Sequence, residues 1–174
     1  RNLEALALMH LGTALRGQDR MVEAEATFQQ SWTIFNELGD LTASATMLNF
    51  LGNVALVGGR LAQARHQFEE ALALNQSLGN YWGLAITQGN LAALHVAHGE
   101  DDAALHALMK SLSLFRQAGV KHGVETCFDI LAGVAQRKAS PQRAAWCWGV
   151  VDRLEADMGK QLQAAQLRRR EASL

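Results

Sequence analysis

Residues Gly39–Gly79 read GDLTASATMLNFLGNVALVGGRLAQARHQFEEALALNQSLG, and the fold follows from this stretch. Its two halves, 41–57 and 61–78, each carry apolar residues at spacings of three and four, as in Leu61, Ala64, Phe68, Ala71 and Leu72, which is helical periodicity. Gly58-Gly59 separates them and marks a turn between two arms. Gly39 and Gly79 bound the unit. Each supplies the left-handed conformation that stops a helix, and Asp40 and Asn80 follow where an N-cap is wanted.

The same unit recurs with a 40-residue period. Gly39, Gly79, Gly119 and Gly159 fall in one column, each preceded by Leu38, Leu78, Ala118 or Met158. Leu11-Gly12, Leu51-Gly52, Leu91-Ala92 and Leu131-Ala132 form a second column, and Ala24, Ala64, Ala104 and Ala144 a third. Phe28, Phe68, Leu108 and Trp148 follow each alanine by one turn, and Ile34, Leu74, Leu114 and Leu154 add another row. A small residue on each arm lets two antiparallel backbones approach, and the bulky residue one turn on fills the space beside that contact. The spacing predicts first arms at 3–16, 41–57, 81–97 and 121–138, and second arms at 21–38, 61–78, 101–118 and 141–158. Gly99 marks a further turn between arms, and Ser140-Pro141 reads as an N-cap with proline in the first turn. The expected architecture is all-α: a right-handed superhelical solenoid of four hairpins at about 1–40, 41–80, 81–120 and 121–159. A polar capping helix at about 160–174 would close the single domain spanning 1–174.

Composition agrees. Of 174 residues 49% are apolar and only 6% aromatic, and Pro141 is the one proline. A formal net charge of −1 is a poor footprint for nucleic acid. The basic run Arg168-Arg169-Arg170 reads as a solvated helix terminus. No apolar run is long enough to span a bilayer and no secretory segment opens the chain. Cys127 and Cys147 are therefore expected to be reduced, buried thiols in a cytoplasmic protein. The chain begins at Arg1, already inside a helical pattern, and reads as a piece of a longer protein.

The columns resemble the tetratricopeptide-repeat family. Its Leu-Gly, Ala, aromatic and small-residue pattern appears as Leu11, Gly12, Ala24, Phe28, Ser31, and as Leu51, Gly52, Ala64, Phe68, Ala71. Leu91, Ala92, Ala104, Leu108, Ser111 follow, and the divergent set Leu131, Ala132, Ala144, Trp148, Val151 ends the series. The common repeat is about 34 residues long. Here the extra residues fall between hairpins, as in Pins-type and kinesin-light-chain scaffolds and the C-terminal arrays of LuxR-type and AfsR-type bacterial regulators. The segment 141–159 resembles the closing segment of those regulators, which implies an ATPase module upstream.

Chemistry-bearing clusters have ordinary readings. There is no phosphate-cradling glycine loop. His95, His98 and His106 read as turn-facing histidines rather than metal ligands. Glu69-Glu70 and Asp101-Asp102 point apart on their helices and read as solvated faces and first-turn acids. Trp148 falls in a core column, and Trp32, Trp82 and Trp146 read as inter-repeat packing rather than base-stacking platforms. No nucleophile, base and acid set recurs, so neither an enzyme nor a cofactor or metal is expected.

The resemblance implies that ligands lie on the first arms, on the concave face. Its positions fall on Leu6, Met9, His10 and Thr13 in the first unit, and on Thr46, Asn49, Phe50, Asn53 and Leu56 in the second. In the third they are Ile86, Gly89, Asn90, Ala93 and Val96, and in the fourth Thr126, Asp129, Ile130, Gly133 and Gln136. Phe50 and Ile130 have a second reading, facing the neighbouring arm. Chaperone-binding members clamp a terminal carboxylate with lysine or arginine at these positions; here neither occurs, so charge is expected to matter little. Asn53 and Asn90 read as donors and acceptors toward a partner backbone, with the alternative that they satisfy neighbouring arms. The expected function is protein interaction. The partner would be a peptide or helix, the chain's own upstream ATPase module, or another copy packed on the exposed first hairpin. A stand-alone scaffold and a nucleic-acid-binding array are the other readings.

Overall fold

The structure, a computed structural model, describes residues 1–119, 123–138, 140, 142–144, 146, 147 and 149. Among them lie seven helices: α1 (Asn2–Gly17), α2 (Met21–Glu37), α3 (Leu41–Val57), α4 (Leu61–Ser77), α5 (Tyr81–Ala97), α6 (Asp101–Gln117) and α7 (Val124–Arg137). Consecutive helices pack as antiparallel hairpins, each hairpin also packs on the next, and α3, α5 and α7 touch across alternate positions. Described positions between 142 and 149 are helical as well. The expected column members Trp148, Val151, Leu154, Met158 and Gly159, together with Pro141, the run Arg168–Arg170 and the capping helix, lie outside the described residues.

The helix boundaries follow from local chemistry. Gly39 and Gly79 take φ of 72° and 62°. The amide of Asp40 donates back to the Phe35 carbonyl and that of Gly39 to Asn36, which closes the last turn of α2. Asn80 and Gly79 repeat those bonds on Asn75 and Gln76. Asp40 Oδ1 then accepts from the Ala43 amide and Asn80 Oδ1 from Gly83, each at 3.0 Å, capping α3 and α5. The turns inside the hairpins use Gly59 and Gly99, at φ 71° and 76°. In the first hairpin Asp19 stands in that column at φ 64°. In the fourth unit Gly123, at φ 97°, immediately precedes α7, which begins at Val124; the predicted arm start at 121 lies outside the described residues.

The close approach expected between arms is present. A Cβ added at Gly12 would meet the Phe28 ring at 2.6 Å, and one at Gly52 would meet Phe68 at 2.3 Å. Ala24, Ala64, Ala104 and Ala144 are fully buried. Ser31 and Ser111 reach back across their hairpins to the carbonyls of Ala5 and Ala85, at 2.8 and 2.7 Å, which satisfies two hydroxyls in the core.

Charge ties successive units together. Arg60 pairs bidentately with Glu25, at 2.7 and 2.8 Å. Asp101 and Asp102 stand in the first turn of α6, as expected, and also meet Arg137 and Lys138 at the end of α7. No described helix is long and apolar enough to cross a membrane.

Candidate functional groove

The first arms bring part of the expected stripe together in two cavities that share Ile86. One, of about 210 Å³, is lined by Thr46, Asn49, Phe50 and Asn53 of α3, and by Trp82 and Ile86 of α5. The other, of about 290 Å³, has in its lining Arg16 of α1, Ile86, Gly89 and Asn90 of α5, Phe115 of α6 and Thr126 of α7. Met9, Thr13, Leu56, Ala93, Asp129 and Gly133 lie outside both linings. Met9 packs on the first core cluster and Leu56 on the third. The Thr13 hydroxyl donates within α1, to the Met9 carbonyl.

The asparagines divide. Asn49 is buried; its amide donates to Thr87 Oγ1 at 3.0 Å and its carbonyl oxygen accepts from Asn90 Nδ2 at 2.9 Å. Asn75 Nδ2 also donates to the Ala71 carbonyl, Asn80 Nδ2 donates to Asn75 Oδ1 at 2.9 Å, and the Thr87 hydroxyl donates to the Gly83 carbonyl at 2.8 Å. These bonds make a polar seam through α3, α4 and α5. Gly83 leaves room for it: a Cβ there would stand 2.1 Å from Asn75 Oδ1. Asn49 and one donor of the Asn90 amide therefore serve the neighbouring arms, the second of the two readings of Asn90, while Asn90 also lines the larger of the two cavities. Asn53, half-buried on the groove wall, has no hydrogen-bond partner among the described residues.

Phe50 stacks on Phe28 with ring centroids 5.0 Å apart, which is its second reading, and it also lines the smaller cavity. Ile130 packs against the cluster that includes Phe115 and Cys127, so it faces the neighbouring arms. Cys127 is buried beside Ser111, and burial pushes its thiol up, as it does for Cys147. Both are free thiols held in the protonated form. His95 Nδ1 lies 2.5 Å from Glu100 Oε2, a contact across the turn that joins α5 to α6.

Sequence reasoning missed two groove residues. Trp82, which the sequence places in inter-repeat packing, is 39% exposed and lines the smaller cavity. Arg16 lies one turn beyond Thr13, in the column that continues as Leu56, Val96 and Gln136. Its guanidinium carbon stands 5.5 Å from the Phe50 ring centroid, a cation–π contact. Extending the stripe one turn before Ile86 finds Trp82, and carrying the Leu56 column back to the first unit finds Arg16. The groove is therefore not free of positive charge, as the sequence had suggested.

With this geometry in view, residues 3–77 and 42–117 match the tetratricopeptide-repeat sequence model. The chain belongs to the tetratricopeptide-repeat family. No curated protein sequence matches it significantly. Among solved structures it is similar to BtubC (BKLC) from P. vanneervenii, at 21% identity and TM-score 0.67, over 91% of this chain and 66% of that one. It is also similar to the apo form of RapI, at 12% identity and TM-score 0.74, over 91% of this chain and 58% of that one. A Podosopora anserina protein described as a kinesin light chain with nearly identical TPR-like repeats matches at 15% identity and TM-score 0.67, over 94% of this chain and 79% of that one. The chain thus spans less than two thirds of the first two proteins, and at these identities the likeness is one of fold.

Proposed function

We propose that this tetratricopeptide array is a non-catalytic interaction module that holds an extended or helical protein segment along its first-arm groove. The observation that carries this reading is the pair of adjoining cavities, in which apolar Phe50, Trp82 and Ile86 stand beside the amide of Asn53, unpaired among the described residues. Apolar walls supply binding energy, and a few placed polar groups fix register. The finer setting we propose is the cytoplasmic C-terminal array of a bacterial multidomain transcriptional regulator, with an ATPase module upstream. The sequence of 141–159 supports it, and reading the full-length gene tests it. The outer face of α1, with Leu3 82% and Leu11 51% exposed, is the surface we propose for self-association. A strictly monomeric mass by light scattering would remove that part.

The test of the groove starts from a partner recovered by affinity capture, with binding then measured by calorimetry. Asn53→Ala combined with Trp82→Ala is expected to weaken binding at least about tenfold, since an unpaired buried group alone costs about 1–3 kcal/mol. Thermal stability should stay near that of the parent. Unchanged affinity in this variant, with loss on substituting Lys110 and Gln117 of α6, would move the working surface to the other face.

A further inference from the structure

We infer that the larger cavity is an anchor pocket for one tyrosine or tryptophan side chain of the bound segment, and that Gly89 sets its size; this rests on the groove being the binding surface. Four glycines are buried within the described helices: Gly12, Gly52, Gly83 and Gly89. A Cβ at the first three would strike the Phe28 ring, the Phe68 ring or Asn75 Oδ1, so packing inside the chain accounts for them. At Gly89 its one neighbour within 4 Å from the rest of the fold would be Ser111 Oγ, at 3.6 Å, an ordinary contact. Glycine is the poorest helix former after proline, and here an alanine would fit. The repeat does not require a glycine either, since the same column holds Met9, Asn49 and Asp129 in the other units. What the missing side chain gives is close approach of an outside group to the α5 backbone.

Gly89 lines the cavity of about 290 Å³. An apolar cavity of about 150 Å³ already holds benzene, so a side chain of one or two rings fits here. Ala85, Ile86 and Phe115 supply apolar wall, the last with a ring for another ring to pack on. Several polar groups of the lining are already engaged. The Ser111 hydroxyl donates to the Ala85 carbonyl and touches Cys127, and the Gly123 amide donates to the buried Glu125 carboxylate at 2.9 Å. Asn90 spends one donor on Asn49, while its Oδ1 accepts from no group among the described residues. A vacant acceptor beside apolar walls suits a ring that carries an O–H or N–H. Tyrosine and tryptophan supply one, and phenylalanine and leucine do not.

The probe is a display library of random linear peptides selected on the intact 174-residue chain, with Asn53→Ala/Trp82→Ala protein as counter-selection. Each apolar or aromatic residue of a selected peptide is then changed to Ala, and each Tyr or Trp also to Phe. One Tyr→Ala or Trp→Ala change should cost at least about tenfold in affinity on the parent chain and hardly anything on Gly89→Leu, whose own side chain fills the cavity. The change of that residue to Phe should cost less than the change to Ala. Against the unaltered peptide, Gly89→Leu should bind at least about tenfold more weakly, with Gly89→Ala between it and the parent. Gly89→Ala should melt above the parent, because it removes a glycine from mid-helix where a Cβ has room. A lowered melting temperature would mean that packing requires the glycine, and would overturn its assignment to the pocket. Groove-dependent peptides that ignore Gly89→Leu, or that are anchored by an aliphatic residue, would overturn the pocket and leave the groove standing. Failure to obtain any peptide sensitive to Asn53→Ala/Trp82→Ala would remove the groove reading and the pocket with it.

Discussion

At Gly52 a methyl group has nowhere to go. The Phe68 ring fills the space where a Cβ would stand, and Phe28 does the same above Gly12. The third unit solves the problem differently: Ala92 takes the glycine position and the smaller Leu108 the aromatic one, and both are fully buried. The two positions therefore trade volume. Gly52→Ala is expected to cost about 1–3 kcal/mol by overpacking. The same change in a Phe68→Leu background should cost much less, because the ring it strikes is gone. Urea denaturation of the four proteins in this cycle measures the coupling. Additive losses would mean that the backbone shifts freely here and that the glycine is not held by the ring. This pairing was legible in sequence, because small and large residues keep a fixed offset in every repeat.

Each helix end is specified by two or three neighbouring residues, such as Leu38-Gly39-Asp40, so its position could be read along the chain. The contacts between units are specified by residues about 35 apart. The Glu25–Arg60 pair is one such contact. In the next unit the signs reverse: Arg65 occupies the Glu25 position and Glu100 the Arg60 position. Glu100 is held below the ordinary carboxyl range by His95 foremost, with the charges of His98 and Arg65 adding. Glu25 is likewise held low, mainly by its hydrogen bonds to Arg60. A depressed carboxyl pKa contributes stability above its unfolded value and loses it as pH falls through the folded value. Arg60→Ala should therefore cost about 0.5–1 kcal/mol at neutral pH, the upper range for an exposed pair. The gap between parent and variant should close below about pH 4, as Glu25 takes up a proton in both states. Chemical denaturation across that range checks it; a gap independent of pH would assign the loss to the arginine's alkyl packing. The polar seam was not legible for a related reason. Asn49, Asn75 and Thr87 lie on three helices, and only the assembled geometry shows that they satisfy one another.

A stack of this kind is nearly one-dimensional: each hairpin meets its neighbours, and stability is a sum of units and interfaces. The same residue type therefore has different worth at an end and in the middle. Leu51 and Leu91 are 2% and 9% exposed, because α2 and α4 cover the outer faces of α3 and α5. Leu11 holds the same column position on α1 and is 51% exposed, and Leu3 nearby is 82% exposed. Periodicity in the sequence marks all three leucines as core, since it records what a repeat is built to bury and not whether a neighbour is present to cover it. Leu51→Ala should cost about 2–5 kcal/mol, the range for a buried leucine truncation. Leu11→Ala should stay within about 1 kcal/mol, as a change on open surface. Hydrogen exchange on the parent should grade in the same direction, with α1 amides opening sooner than those of α3 and α5. If Leu11→Ala proves as costly as Leu51→Ala at protein concentrations where the chain is dilute, the α1 face is covered within the molecule itself. If the cost appears only as concentration rises, a second copy covers it, and the Leu11 column is an interface continuing the stack from one molecule to the next.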